Sequence, residues 1–174
     1  VLFVSTEPIG NQGYMTWDQI KEIEKENFAV IGHHSHSHEY LIGKSNQEFI
    51  KDIEKANIIF EKKIGYIPKL FSYPFGEYSE FMRNYISKNF NFAFGQHSGV
   101  IDLNKEKFQL PRFPINEKYG EIERFTSIIK TYPLEYKHLL PKEKKLKKID
   151  NPPVFSVEFF ENQKNIKGIN CFSD

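Results

Sequence analysis

Cysteine is nearly absent from this sequence: Cys171 is the single one in 174 residues. No internal disulfide can form, and cysteine usage does not reveal the redox compartment. An excess of charge is missing as well. Lysine and arginine number 24 against 23 aspartates and glutamates, a formal net charge of +1. That balance gives nucleic acid or an anionic membrane surface no electrostatic handle, and both are disfavoured as partners. No apolar run comes near the roughly 20 residues that span a bilayer. The opening residues, VLFVSTEPIG, lack the charged start and long apolar stretch of a signal peptide. They read as a buried strand entered partway along, so we expect the sequence to be a piece of a longer one.

What is present is ordinary in amount and unusual in kind. With 39% hydrophobic and 27% charged residues, the chain is long enough for one well-cored domain and a short appendage. Aromatic residues reach 16%, with 17 Phe and 9 Tyr. Such a surplus suits a sugar-stacking groove, although most rings are expected in the core, where aromatic side chains bury the most surface.

Short strand-like runs alternate with helical stretches, which points to repeated βα units and a parallel sheet or barrel. VLFVS, FAVIG, KLFSY and FNFAFG read as strands, and FQLPRFPI as a short fifth. Between them, TWDQIKEIEKEN begins with Thr16 and Gln19 at capping-box spacing, which Ser45 and Glu48 repeat at the head of a long helix. On that helix Phe49, Ile53, Ala56 and Phe60 fall at spacings of three and four, a core-facing stripe. EFMRNYISKN and EIERFTSIIK read as further helices, and His138 as part of a solvated, lysine-rich helix end. From Lys142 the run KEKKLKKIDNPP concentrates like charge and then proline, as a linker does. We therefore divide the chain into a domain at 1–140, a linker at 141–153 and, at 154–174, the start of a separate antiparallel β module in which GINCF pairs with VFSVEFF.

Four of the six histidines lie within six positions of IGHHSHSHEY: His33, His34, His36 and His38. A lone loop histidine is ordinarily just solvated, but four so close together after a buried strand favour a metal site. His34 and His38, four apart, present two imidazoles to one ion if the segment makes a helical turn, with His33 and His36 projecting elsewhere. Catalytic zinc usually has three protein ligands and an open position, so two histidines are not a full set. In α/β barrels the loops after the strands carry the active site, and this loop, SYPFG and GQHSG all occupy that kind of position.

TWDQI followed by IGHHSHSHEYL resembles the polysaccharide deacetylases with NodB homology, carbohydrate esterase family 4. Their Gly-x-His-Ser/Thr-x-x-His loop, followed by a hydrophobic residue, is matched by Gly32, His34, Ser35, His38 and Leu41. FSYPFG resembles the family's Arg-x-Pro-Tyr-Gly element, with Pro74, Phe75 and Gly76 matching and Ser72 where arginine is expected. That form, together with LPRFPINEKYG, is closer to the branch that deacetylates poly-β-1,6-N-acetylglucosamine. The resemblance covers about residues 1–135.

The resemblance implies an incomplete, distorted (β/α) barrel followed by a short antiparallel β segment. It also implies hydrolysis of N-acetyl groups on an N-acetylglucosamine polysaccharide by a divalent metal, Zn2+ first, with His34 and His38 as ligands. It further implies an exported enzyme: periplasmic, cell-envelope or secreted. Family members draw a third ligand and the catalytic base from an Asp-Asp pair on the first strand, and no Asp-Asp dipeptide occurs here. The 174 residues by themselves are thus expected to be inactive. The backbone N–H of Phe75 would meet the oxyanion, Arg112 would supply the cation that Ser72 does not, and His97 replaces as general acid the absent Leu-x-His element. Tyr73, Pro74 and Phe75 are expected at the sugar groove, whereas Trp17, on a helix, suits the core better. Two other readings stay open: a non-catalytic glycan-binding module on the same fold, and an acetylxylan or peptidoglycan deacetylase.

Overall fold

Two helices start where their capping residues require. Thr16 Oγ1 accepts the Gln19 N–H at 3.3 Å while Gln19 Oε1 accepts the Thr16 N–H at 2.8 Å, opening α1 (Trp17–Lys25). Ser45 and Glu48 do the same at 3.3 and 2.8 Å for α2 (Asn46–Ile64), which ends at Gly65 with φ +85°. Each reciprocal pair satisfies two N–H groups that a helix start leaves open. The expected stripe of Phe49, Ile53, Ala56 and Phe60 on α2 is at most 1% exposed. The computed structural model of the chain describes residues 1–142, 145, 146, 148–161, 166 and 169.

Four strands, β1 (Leu2–Val4), β2 (Ile31–His33), β3 (Leu70–Ser72) and β4 (Phe92–Phe94), lie side by side in chain order, all parallel. Each pair is joined by one helix, the last being α3 (Glu80–Asn89), capped by Ser79. Helical crossovers are what parallel neighbours demand. The expected fifth strand is reduced to one parallel bridge, Phe94 to Leu110, fixed by Leu110 N–H to Ala93 O and Gly95 N–H to Leu110 O, both 2.9 Å. Pro111, with no N–H, cannot carry that ladder further.

The sheet curls as a barrel wall does. Strands spaced about 4.8 Å apart would put β1 and β4 roughly 14 Å from each other if flat, yet the rings of Phe3 and Phe94 meet at 5.5 Å. Room for this comes from Gly32, where a Cβ would come within 2.5 Å of the Phe3 ring. The opposite face of the sheet packs on the helices. Val4 and Ile31 join Ile20 of α1 and Ala56 and Phe60 of α2, while Phe71 and Ala93 join Phe49, Ile53 and Ile86. Trp17 packs edge-on against Phe60, ring centroids 5.9 Å apart, in the core role expected of it.

Helix α4 (Ile122–Ile128) follows. His138 is not at a helix end: it is an exposed residue of β5 (His138–Leu140), which pairs antiparallel with β6 (Ser156–Glu158). The alternating run 154–160 therefore takes as partner a segment that precedes the proline-rich stretch. GINCF, the partner expected from the sequence, lies outside the described residues apart from Ile169. No helix among the described residues is long and apolar enough to cross a membrane.

Candidate active site at the strand ends

Period-two alternation separates the two adjacent histidines at the end of β2. His33 turns toward the helices and is fully buried, with the rings of Phe60, Phe90 and Phe71 at 5.0, 5.1 and 5.4 Å. Its Nδ1 accepts the Ser35 N–H at 3.1 Å, so its proton sits on Nε2. Burial, and next the neighbouring His34, lower its pKa to about 3 against a polar contact from Asn57. A group so placed is a neutral part of the core.

His34 turns the other way, to the mouth of the curled sheet. Its Nδ1 donates to the main-chain oxygen of Ser72 at 2.7 Å, which fixes the tautomer and leaves the Nε2 lone pair available to a ligand. Its pKa is lowered to about 4, chiefly by burial; the Ser72 carbonyl opposes this, and the charges of His38 and Arg112 reinforce it. The ring of His38 lies 4.8 Å from that of His34, steeply tilted to it.

No helical turn brings these two together, contrary to the sequence expectation. Ser35 and His38 instead adopt left-handed conformations, φ +68° and +55°, which fold the segment tightly back on itself. Several partners hold this loop. Ser35 Oγ accepts the His38 N–H at 3.2 Å, and Ser5 Oγ donates to His34 O at 2.6 Å. Thr6 and Glu7 N–H groups donate to the carbonyls of Ser35 and His36. His36 is directed away, its Nδ1 2.8 Å from Thr6 Oγ1 and its Nε2 3.5 Å from a Glu7 carboxylate oxygen.

Asp52 of α2 is a site residue that sequence reasoning missed. Its two carboxylate oxygens accept the N–H groups of His36 at 2.8 Å and Ser37 at 3.1 Å. A signal existed: Asp52 falls three residues after Phe49, on the edge of the apolar stripe, where a charge needs a reason. Hydrogen bonds to a charged acceptor contribute about 1.5–3 kcal/mol each. Asp52 is half-buried, so Asp52→Ala is expected to destabilise the chain by about 3 kcal/mol in urea unfolding, the low end for two such bonds, and Asp52→Asn by less, since one oxygen acceptor survives. Equal stability of Asp52→Ala and the unmodified chain would show that the carboxylate does not hold the loop.

The turn after β3 corrects the expected groove. Tyr73 is fully buried, its hydroxyl donating to Phe108 O at 3.0 Å and its ring 4.7 Å from that of Tyr78. Burial pushes the hydroxyl pKa up. Pro74 is also buried, so neither side chain lines a groove. The cause is again alternation, since Tyr73 follows Phe71 onto the helix-facing side. Phe75 alone of the three faces outward, 47% exposed, with φ +57° and its ring 5.0 Å from His38. Ser72 has a buried Oγ without a hydrogen-bond partner among the described residues.

Arg112 is half-buried and within electrostatic reach of His34; its N–H donates to His97 O at 3.0 Å. His97 is an exposed residue of the loop after β4, with its ring over Gly95, where a Cβ would come within 2.8 Å of Nδ1. The structure thus gathers His34, His38 and Phe75, brings Arg112 within range, and sets His97 on a neighbouring loop. As a donor set for a divalent ion, a half-buried imidazole with a fixed tautomer beside a second imidazole fits. No third His, Cys, Asp or Glu completes a cluster among the described residues.

A family model for polysaccharide deacetylase matches residues 1–92, more than half of the chain. The chain belongs to the polysaccharide deacetylase family. Solved structures of deacetylases share its fold. IcaB from Ammonifex degensii has a TM-score of 0.64 at 17% identity, over 74% of this chain and 60% of that one. A polysaccharide deacetylase from Bacillus cereus has a TM-score of 0.62 at 22% identity, over 71% of this chain. The Streptococcus pyogenes deacetylase PplD, in complex with acetate, has a TM-score of 0.63 at 17% identity, over 70% of this chain and 54% of that one. The chain spans 39% of the length of the Bacillus cereus protein. No curated protein matches it.

Proposed function

We propose that this polysaccharide deacetylase chain supplies the histidine pair and oxyanion turn for metal-dependent hydrolysis of N-acetyl groups on an N-acetylglucosamine polysaccharide. The observation that carries the proposal is the His34 Nδ1 to Ser72 O hydrogen bond, which holds Nε2 ready as a ligand beside His38. His34 and His38 would hold the ion, with Zn2+ the first candidate for borderline imidazole donors. When bound, such an ion supplies Lewis acidity and a water whose pKa falls from about 15.7 to about 7.

The remaining roles belong to the chain's own groups. Water adds to the acetyl carbon, the C–N bond breaks, acetate leaves, and the freed amine takes a proton. The N–H of Phe75, in a strained turn with φ +57°, would meet the oxyanion, a role independent of its side chain. Arg112 orients the groups around His34 electrostatically, and His97 donates the proton to the amine. Action on such a polysaccharide fits an exported protein, in the periplasm, the cell envelope or outside the cell.

Acetate release from a soluble N-acetylglucosamine oligomer, with zinc or cobalt present, tests the reading. The 174 residues alone are expected to turn over little, since two imidazoles carry neither a third ligand nor a base. The same residues joined behind an Asp-Asp strand from a family member are expected to reach the ordinary range of about 1–10³ s⁻¹. Full turnover by the 174 residues alone would mean that the catalytic groups are misassigned. Failure of the joined chain, with glycan binding retained, would support the second reading, a glycan-binding module, which the two-donor cluster also favours. Faster release from acetylxylan or peptidoglycan would reassign the substrate.

A further inference from the structure

Four rings run in series away from β2. His34 and His38 are 4.8 Å apart, His38 and Phe75 5.0 Å, and Phe75 and Tyr40 5.8 Å, the last pair meeting edge to face. The two imidazoles are half-buried, whereas Phe75 and Tyr40 are 47% and 54% exposed. A single exposed aromatic residue needs no explanation. Two in contact, continuous with a candidate active site and each fixed by its backbone, do.

Tyr40 is held from both sides. It caps the short 3-10 turn Leu41–Gly43, whose Leu41 and Ile42 are buried in the main core, and its carbonyl accepts the Gly43 N–H at 3.1 Å. The Glu39–Lys44 ion pair, 2.7 Å, closes the turn around it. A Cβ at position 43 would stand 3.7 Å from Tyr40 Cδ1, so the ring edge rests beside Gly43. Phe75 is fixed differently. Its left-handed φ of +57° is strained for a bulky L residue, and Gly76 after it, φ +70°, passes so close to Gln96 that a Cβ would meet its N at 2.5 Å. A chain that only needed to turn here would be relieved by glycine or asparagine at position 75.

We infer that Tyr40 and Phe75 form a stacking wall for an uncharged hexosamine ring of the polymer, seating that ring next to His38. The inference rests on the deacetylase reading for the nature of the polymer. The C–H face of a pyranose is apolar and matches an aromatic face, while a tyrosine hydroxyl at the rim can meet a sugar hydroxyl. The charges flanking Tyr40 pair with each other, so the wall presents no net charge and suits a neutral N-acetylated sugar. Tyr40 is a positioning residue for the sugar and touches no reacting atom.

Titration of the 174-residue chain with an N-acetylglucosamine pentamer, followed by saturation-transfer NMR and intrinsic fluorescence, tests the wall. Tyr40→Ala is expected to weaken binding about tenfold, Tyr40→Trp to stay within about twofold, and zinc affinity to be unchanged in both. Unchanged far-UV circular dichroism identifies the loss as local. Pentamer affinity equal in Tyr40→Ala and the unmodified chain overturns the wall, as does absence of saturable binding up to about 10 mM. The two readings fail separately. If the joined chain described above releases acetate and Tyr40→Ala binds normally, the wall falls and the deacetylase reading stands. If the pentamer binds through Tyr40 and the joined chain is inert, the wall stands and the catalytic reading falls.

Discussion

Replacing His34 with alanine is expected to lower zinc affinity by about 100-fold or more and to abolish acetate release by an active joined chain. Loss of hydrogen bonds that merely orient a metal ligand costs about 10–100-fold, and removing the ligand itself should cost at least as much. Two imidazoles 4.8 Å apart become one. His38→Ala should give the same result. His36→Gln, by contrast, should leave zinc affinity within a few-fold, because that ring is turned to Thr6 and Glu7. Isothermal titration calorimetry and the visible spectrum of the cobalt form would separate these outcomes. Strong zinc binding that survives His34→Ala and disappears in His36→Gln would reverse the assignment.

The second large effect is on stability in acid. His33 has a folded pKa of about 3 against an ordinary 6.5. The unfolded chain therefore binds a proton between those values and the folded chain does not, so stability is full above pH 6.5 and falls as pH drops toward 3. The whole interval corresponds to about 5 kcal/mol at most, at about 1.4 kcal/mol per pH unit. His34, lowered to about 4, acts in the same direction. His33→Asn keeps an acceptor for the Ser35 N–H and removes the titrating ring. Urea unfolding between pH 4 and 7 should show a shallower slope in that variant than in the unmodified chain. Parallel slopes would mean that His33 is not the group responsible.

Local chemistry made much of the fold readable. The Thr16–Gln19 and Ser45–Glu48 pairs mark helix starts through backbone groups within three residues of each other, and the α2 stripe depends only on helical periodicity. The parallel sheet followed from alternation of strands and helices. What failed depended on distant partners. Tyr73 and Pro74 look accessible in SYPFG because the motif is polar and turn-like, but the helix layer that buries them lies elsewhere in the chain. Alternation from Phe71 would have put Tyr73 inside. The lysines around His138 make it read as a solvated helix end, and nothing local announces β6 as its partner. At the site, the spacing of His34 and His38 was legible and the means of bringing them together was not, since left-handed conformations at Ser35 and His38 leave no mark in residue type. Asp52 was hidden because its two bonds go to amides 16 and 15 residues away.

The group that sets the His34 tautomer is a main-chain oxygen, and every amino acid supplies one. The identity of the side chain at position 72 is thus immaterial to how the imidazole is aimed. A serine there carries no positive charge, and Arg112, in the segment that follows the Leu110 bridge, lies within electrostatic reach of His34. The aim of the histidine and the charge around it are in this sense set by separate parts of the chain, so a substitution at position 72 alters one without disturbing the other.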